Sequence, residues 1–145
     1  MLDANTRLMR YRVVEELVEL ASPADEQMAQ LRGFEGWYEE LAISYLNWSA
    51  TMLPELERRG ALSVEVVRST NAVAAALTQL CVECGEEHES TGAIWAFTGE
   101  GLRQDPRWQA IRDLAALALV AFRDLGIPTP KLGDQDFNAP REDAP

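Results

Sequence analysis

Residues 33–57 read GFEGWYEELAISYLNWSATMLPELE, and the spacing of their bulky side chains decides the fold. Phe34, Tyr38, Leu41, Tyr45, Trp48 and Met52 recur at steps of four and three, so they share one narrow stripe of an α-helix. Half a turn round that wheel stand Glu39, Glu40 and Asn47, with Ile43 in their midst. An isoleucine ringed by acids has two readings: a second layer of helices covers it, or it is a small apolar anchor inside an acidic rim, as suits a protein interface. Pro54 has no N–H to continue the helical ladder, so the helix is expected to kink or restart there and to stop at Gly60.

Outward from this segment the apolar spacing stays helical and the punctuation agrees with it. Asn5 or Thr6 is expected to cap a first helix running to Ala21, with Tyr11, Val14, Leu17 and Val18 on a broad buried face. Ser22 and Pro23 are expected to start a short second helix that Gly33 closes. Ser63 caps a fourth, whose core line is Val66, Val73, Leu77, Leu80 and Cys84 and whose end is placed near Gly85. Residues 86–104 are rich in glycine and acids, and only Ala93 to Phe97 is apolar enough for a short helix or an extended segment. Asp105 and Pro106 open a last helix that Gly126, Ile127 and Pro128 end. Its middle, Leu114 to Phe122, has no polar residue on any face, which predicts burial on all sides. The expected fold is therefore all-α, a single-domain helical bundle of about five helices over residues 1–127 with a central apolar C-terminal helix. Residues 128–145 hold four prolines and four acids and are expected to form an extended or disordered tail, with Phe137 as its anchor.

A chain of 145 residues that is 47% hydrophobic has material for one domain and one continuous core. Its net charge of −11 is local. Gly33 to Glu57 and Ser69 to Leu102 contain no Lys or Arg, and they hold Glu35, Glu39, Glu40, Glu55 and Glu57, then Glu83, Glu86, Glu87, Glu89 and Glu100. Such a surface suits a positively charged partner and opposes a nucleic-acid backbone or an anionic membrane, both of which need clustered Lys and Arg. The opening MLDANTRLMRYRVVEELVEL interleaves charged and apolar residues, unlike a signal peptide or a transmembrane span. Two cysteines make no disulfide framework, so the cytoplasm is the expected compartment.

Three constellations carry candidate chemistry. Cys81, Cys84 and His88 spell half of a zinc site, but the chain has no third cysteine and no second histidine to complete four ligands. On the helical wheel both cysteines fall in the arc of Val66, Leu77 and Leu80, which predicts packing, with no metal and no cofactor. Glu15, Glu16 and Glu19 spell E-E-x-x-E, while Glu83, Glu86 and Glu89 spell E-x-x-E-x-x-E. Two such sets face to face would hold magnesium. The first set resembles one helix turn of the all-α nucleotide pyrophosphohydrolases of the MazG type, in which an E-x-x-D on another helix completes the site; no E-x-x-D occurs here. Finally, Trp37, Trp48, Trp95 and Trp108 are candidate walls for a regulatory small-molecule pocket.

Walker, dinucleotide, HExxH and G-x-S-x-G patterns are absent. The expected function is thus non-catalytic. Small size, acidity and the lack of chemistry are similar to bacterial immunity proteins and other toxin-neutralising inhibitors, an analogy of class carried by no motif. It implies a basic-surfaced protein partner, a toxin or effector, gripped by Glu35, Glu39, Glu40, Ile43, Glu83, Glu86, Glu87 and Glu89. The alternatives are a magnesium-dependent pyrophosphohydrolase-like enzyme and a domain binding a small molecule in an aromatic-lined pocket.

Overall fold

The computed structural model describes residues 2–31 and 38–132. Among them are six α-helices: α1 (Ala4–Ala21), α2 (Ala24–Gln30), α3 (Glu40–Arg58), α4 (Val64–Thr91), α5 (Gly99–Gln104) and α6 (Pro106–Asp124), with a single 3-10 turn at Trp95–Phe97. The fold is all-α. Four long helices form a ring in which α1 packs on α3, α3 on α4, α4 on α6 and α6 back on α1, leaving α1 and α4 at opposite corners.

Long-range hydrogen bonds fix the direction of each helix. Near the start of α1, Arg10 donates to the Ala61 carbonyl at 3.2 Å and Thr6 accepts from Arg59 at 2.8 Å, so α1 and α3 are antiparallel. The short turn from α3 to α4 makes that pair antiparallel too. Arg107, in the first turn of α6, reaches Glu83 and Glu87 near the end of α4. Neighbours around the ring therefore all run in opposite directions, an up-down-up-down bundle.

Both long connections lie at one end of this bundle and hold each other down. Gln27 of α2 is fully buried; its Nε2 donates to the Glu19 and Leu20 carbonyls that end α1. Its Oε1 accepts from the buried guanidinium of Arg112 on α6, which also donates to the Leu102 carbonyl in α5. At the rim Arg103 pairs with Asp25 at 2.9 Å. Beside this seam Trp108 is wholly buried, its ring N–H donating to the Ala96 carbonyl at 2.7 Å. A Cβ on Gly101 would lie 2.6 Å from the Trp95 carbonyl carbon and nearer still to its oxygen, so only glycine lets α5 close on the 3-10 turn.

Capping chemistry sets most helix ends. Ser63, Thr98 and Asp105 accept from the first-turn N–H groups of Val66, Gly101 and Arg107, and Gly60 and Gly126 leave their helices with φ of 69° and 88°. Several expectations are corrected. Asp3, one turn ahead of Thr6, caps α1, its carboxylate accepting from the Thr6 N–H at 2.7 Å. Ser22 ends α1, donating its hydroxyl back to Val18, and does not open α2. Helix α3 runs past Pro54 without restarting. Helix α4 continues through Gly85, which stays helical, and ends at Gly92, where φ is 74°.

The expectation that α6 is buried on all sides also fails. Ala115, Ala118 and Phe122 are fully buried, but Leu117 and Val120 are 62% and 42% exposed. A four-cornered ring gives each long helix two neighbours, so the third face of α6 meets water whatever its side chains. Gly33, proposed to end α2, lies outside the described residues. Of the tail, residues 128–132 are irregular, and Phe137 lies outside the described residues.

Candidate protein-binding face

Because α3 and α4 are antiparallel neighbours, the start of α3 and the end of α4 meet at the capped end of the bundle. The described helical parts of the two base-free stretches, on α3 and α4, thus lie side by side. Glu39 is half-buried on the α4 side of α3, close enough for its charge to be felt by the Cys81 thiol. Glu40 is exposed and turned toward α1, where it acts on Glu16 and Glu19. One turn on from Glu39, Ile43 is 39% exposed, so no second layer covers it. On α4, Val82 beside Cys81 is 51% exposed, and Glu86 and Glu89 are exposed beyond it.

Glu83 and Glu87 are different. Both are half-buried and lie 3.7 and 3.9 Å from Arg107, and Glu87 accepts the Trp95 N–H at 3.3 Å. Arg107 itself is held by Asp105 at 2.7 Å. Burial alone would raise Asp105, but the hydrogen bonds from Arg107 outweigh it and hold the carboxyl below its ordinary value. These two acids therefore tie α4 to α6. Sequence reasoning missed Arg107, whose only signal is its place just after an Asp-Pro helix start. Glu35 lies outside the described residues.

The E-E-x-x-E set on α1 does not face the Glu83 to Glu89 set, since α1 and α4 occupy opposite corners. Its Glu16 and Glu19 lie beside α3, where the Ser44 hydroxyl donates to both Glu16 carboxylate oxygens at 3.0 Å and Glu40 acts on Glu19, while Glu15 pairs with Arg12 on α1. Burial pushes the Glu16 carboxyl up to about 7; Ser44 opposes this, and the charges of Glu19, Glu15 and Glu40 add to it. Glu19 is raised as well, by burial and by Glu40. Among the described residues no three His, Cys, Asp or Glu side chains are grouped to hold a metal ion. Cys84 is buried and Cys81 half-buried, both as free thiols. Burial drives Cys84 up to about 11 and raises Cys81, so neither is poised as a thiolate.

An open groove of about 240 Å³ separates α3 from α4, with Leu46, Leu53, Leu62 and Val67 among its lining. No tryptophan lines it. Trp108 sits in the core against Phe97, Trp48 and Trp95 are exposed, and Trp37 lies outside the described residues. The aromatic-walled pocket expected from the sequence is thus not this groove. No described helix is long and apolar enough to cross a membrane. Compared with protein-family models, with curated proteins and with solved structures, the chain matches none.

Proposed function

We propose that the protein is a non-catalytic inhibitor of the immunity or antitoxin type, whose α3–α4 face covers the basic active site of a partner toxin or effector. One observation carries the reading: two helical stretches without a single Lys or Arg stand side by side, with Ile43 and Val82 uncovered among their carboxylates. Exposed Glu86 and Glu89, with Glu39 at the seam and Glu40 at the α1 edge of the face, pair with cationic side chains that line the partner's site. The acidic field raises the rate of encounter, and the two aliphatic side chains supply the desolvated hold that charge pairs alone lack. Glu83 and Glu87 share Arg107 and so give the field less than their number suggests.

The test compares wild type with a Glu39→Lys, Glu40→Lys, Glu86→Lys, Glu89→Lys variant as baits in affinity capture at low and high salt. The expected result is a basic protein retained by wild type alone at low salt, whose toxicity or enzymatic activity falls when stoichiometric wild type is added. Equal capture by both baits, or a captured protein whose activity is unaffected, refutes the proposal.

A further inference from the structure

The groove between α3 and α4 is open to solvent, and its chemistry narrows what fits it. Leu46, Leu53, Leu62 and Val67 give it an apolar floor. At about 240 Å³ it exceeds the ~150 Å³ that takes a benzene ring and falls short of the roughly 300–1,000 Å³ typical of small-molecule sites. That is room for one or two large apolar side chains. On its rim stand Pro54 and Ala50, both exposed. Pro54 is the residue whose N–H would have satisfied the Ala50 carbonyl, and proline has none, so the helix offers that acceptor no ladder donor.

Charge decides the rest. Glu57 is the ionisable residue of the lining, and neither wall carries a cation from Glu40 to Glu57 or from Ser69 to Thr91. A fatty acid, a nucleotide or any other anion would meet a carboxylate and a backbone acceptor, and the cations adjacent to the lining, Arg58 and Arg68, are already paired with Glu55 and Glu65. An apolar group flanked by ammonium or guanidinium groups meets what it needs.

We infer that the groove receives an amphipathic helix of a partner protein, one or two of its apolar side chains seated between Leu46 and Val67 and its Lys or Arg side chains reaching Glu57 and the Ala50 carbonyl. The inference rests on the acidic-face reading and adds to it a second contact, farther along α3 and α4 from the carboxylates of the capped end. A helix laid in a groove reads its partner through anchors at i, i+3, i+4 and i+7, which matches a slot bounded by two antiparallel helices.

The probe is a synthetic 15-residue helix with Leu at those positions and Lys elsewhere, titrated into the full chain while methyl NMR signals are followed. Three control peptides accompany it: Lys with Ala for Leu, Leu with Glu for Lys, and a scrambled Leu/Lys order. The Leu/Lys helix should shift the methyls of Leu46, Leu53, Leu62 and Val67 and bind at least tenfold tighter than any control. Ala50→Leu and Ala74→Leu should each weaken it at least fivefold. Ala50 is exposed, so that variant keeps the fold even where the half-buried Ala74 does not tolerate the larger side chain. Glu86→Lys with Glu89→Lys should leave the groove methyls responding as before. Binding without shifts at the four groove methyls overturns the inference while leaving the acidic face intact. So do equal shifts with the Leu/Glu helix, or concentration-dependent shifts without peptide, which would mark a second copy of this chain as the occupant.

Discussion

Replacing Glu16 with glutamine should stabilise the protein above neutral pH and do little below pH 5. In the folded chain the carboxyl is raised from its ordinary 4.5 to about 7, so between those values the folded state keeps a proton that the unfolded chain has released. Stability from this group is fully present below pH 4.5 and is lost as pH rises through 7. Each pH unit is worth ~1.4 kcal/mol, which puts the ceiling at roughly 3–4 kcal/mol. Glu16 is only half-buried, so water screens part of that penalty, and about 1–2 kcal/mol is the expected loss. Glutamine keeps an acceptor for Ser44 and never ionises. Urea unfolding followed by circular dichroism at pH 5, 6, 7 and 8 gives the difference between variant and wild type. That difference isolates Glu16 from Glu19, which is raised in the same sense. Asp3 and Glu55 are lowered, Glu55 to about 2, so their stability is lost only as pH falls below the ordinary carboxylate range, outside the window. A difference constant across the four pH values, or a variant less stable at pH 8, refutes the reasoning, as would a carboxyl NMR titration of Glu16 centred near 4.5.

Two glycines in helices should answer alanine with opposite signs. Gly101→Ala should cost on the order of 1–3 kcal/mol in a thermal melt, because its Cβ would collide with the backbone of the 3-10 turn. Gly85→Ala, with nothing within 4 Å, should gain roughly 0.5–1 kcal/mol; equal effects would mean that α5 does not close on that turn. Ala118→Asp should cost on the order of 3–5 kcal/mol by burying a carboxylate, while Leu117→Asp, one residue away but exposed, should stay within about 0.5 kcal/mol. Similar melting points for those two variants would show that α6 is turned otherwise. Gln27→Leu should cost about 1–3 kcal/mol by stripping a buried guanidinium of one of its acceptors, and adding Arg112→Met should recover part of it. Strict additivity of the pair would remove their contact.

Capping signals were readable because they act over three or four residues: Ser63, Asp105-Pro106, Gly60 and Gly126 do what their types suggest. Local chemistry loses its power where candidates crowd. Asp3, Asn5 and Thr6 can all cap a helix, and the first of them does so. Gly85 and Gly92 can both end α4, yet glycine terminates a helix only where the chain turns left-handed, and that depends on where the helix next meets its neighbours. Burial followed the stripe through Tyr38, Leu41 and Tyr45 and then departed from it, exposing Trp48 and burying Ser49 and Leu53, because α4 lies to one side of α3 and not opposite it. Of the candidate site, the acidity of both stretches and the anomaly at Ile43 were legible. The engagement of Glu83 and Glu87 by Arg107 was not, nor the burial of Arg112 on Gln27, since each joins residues far apart in the chain.

The ring has one seam that is costly in chain entropy to close. Helices α3 and α4 are joined by the five residues between Arg58 and Val64, whereas the contact that locks α1 to α6 through Gln27 and Arg112 spans 85 residues. Loop-closure entropy grows as (3/2)RT ln n, so drawing that seam together costs about 2–3 kcal/mol more than forming the α3–α4 hairpin. The hairpin that carries the acidic face is thus the natural nucleus, assembled before either end of the chain has docked. Damage to the α1–α6 seam should then accelerate unfolding and leave the folding rate nearly alone, whereas damage within the hairpin should slow folding. The two arms of a chevron plot separate these outcomes, and a seam variant that slows folding in proportion to its lost stability would place the nucleus elsewhere.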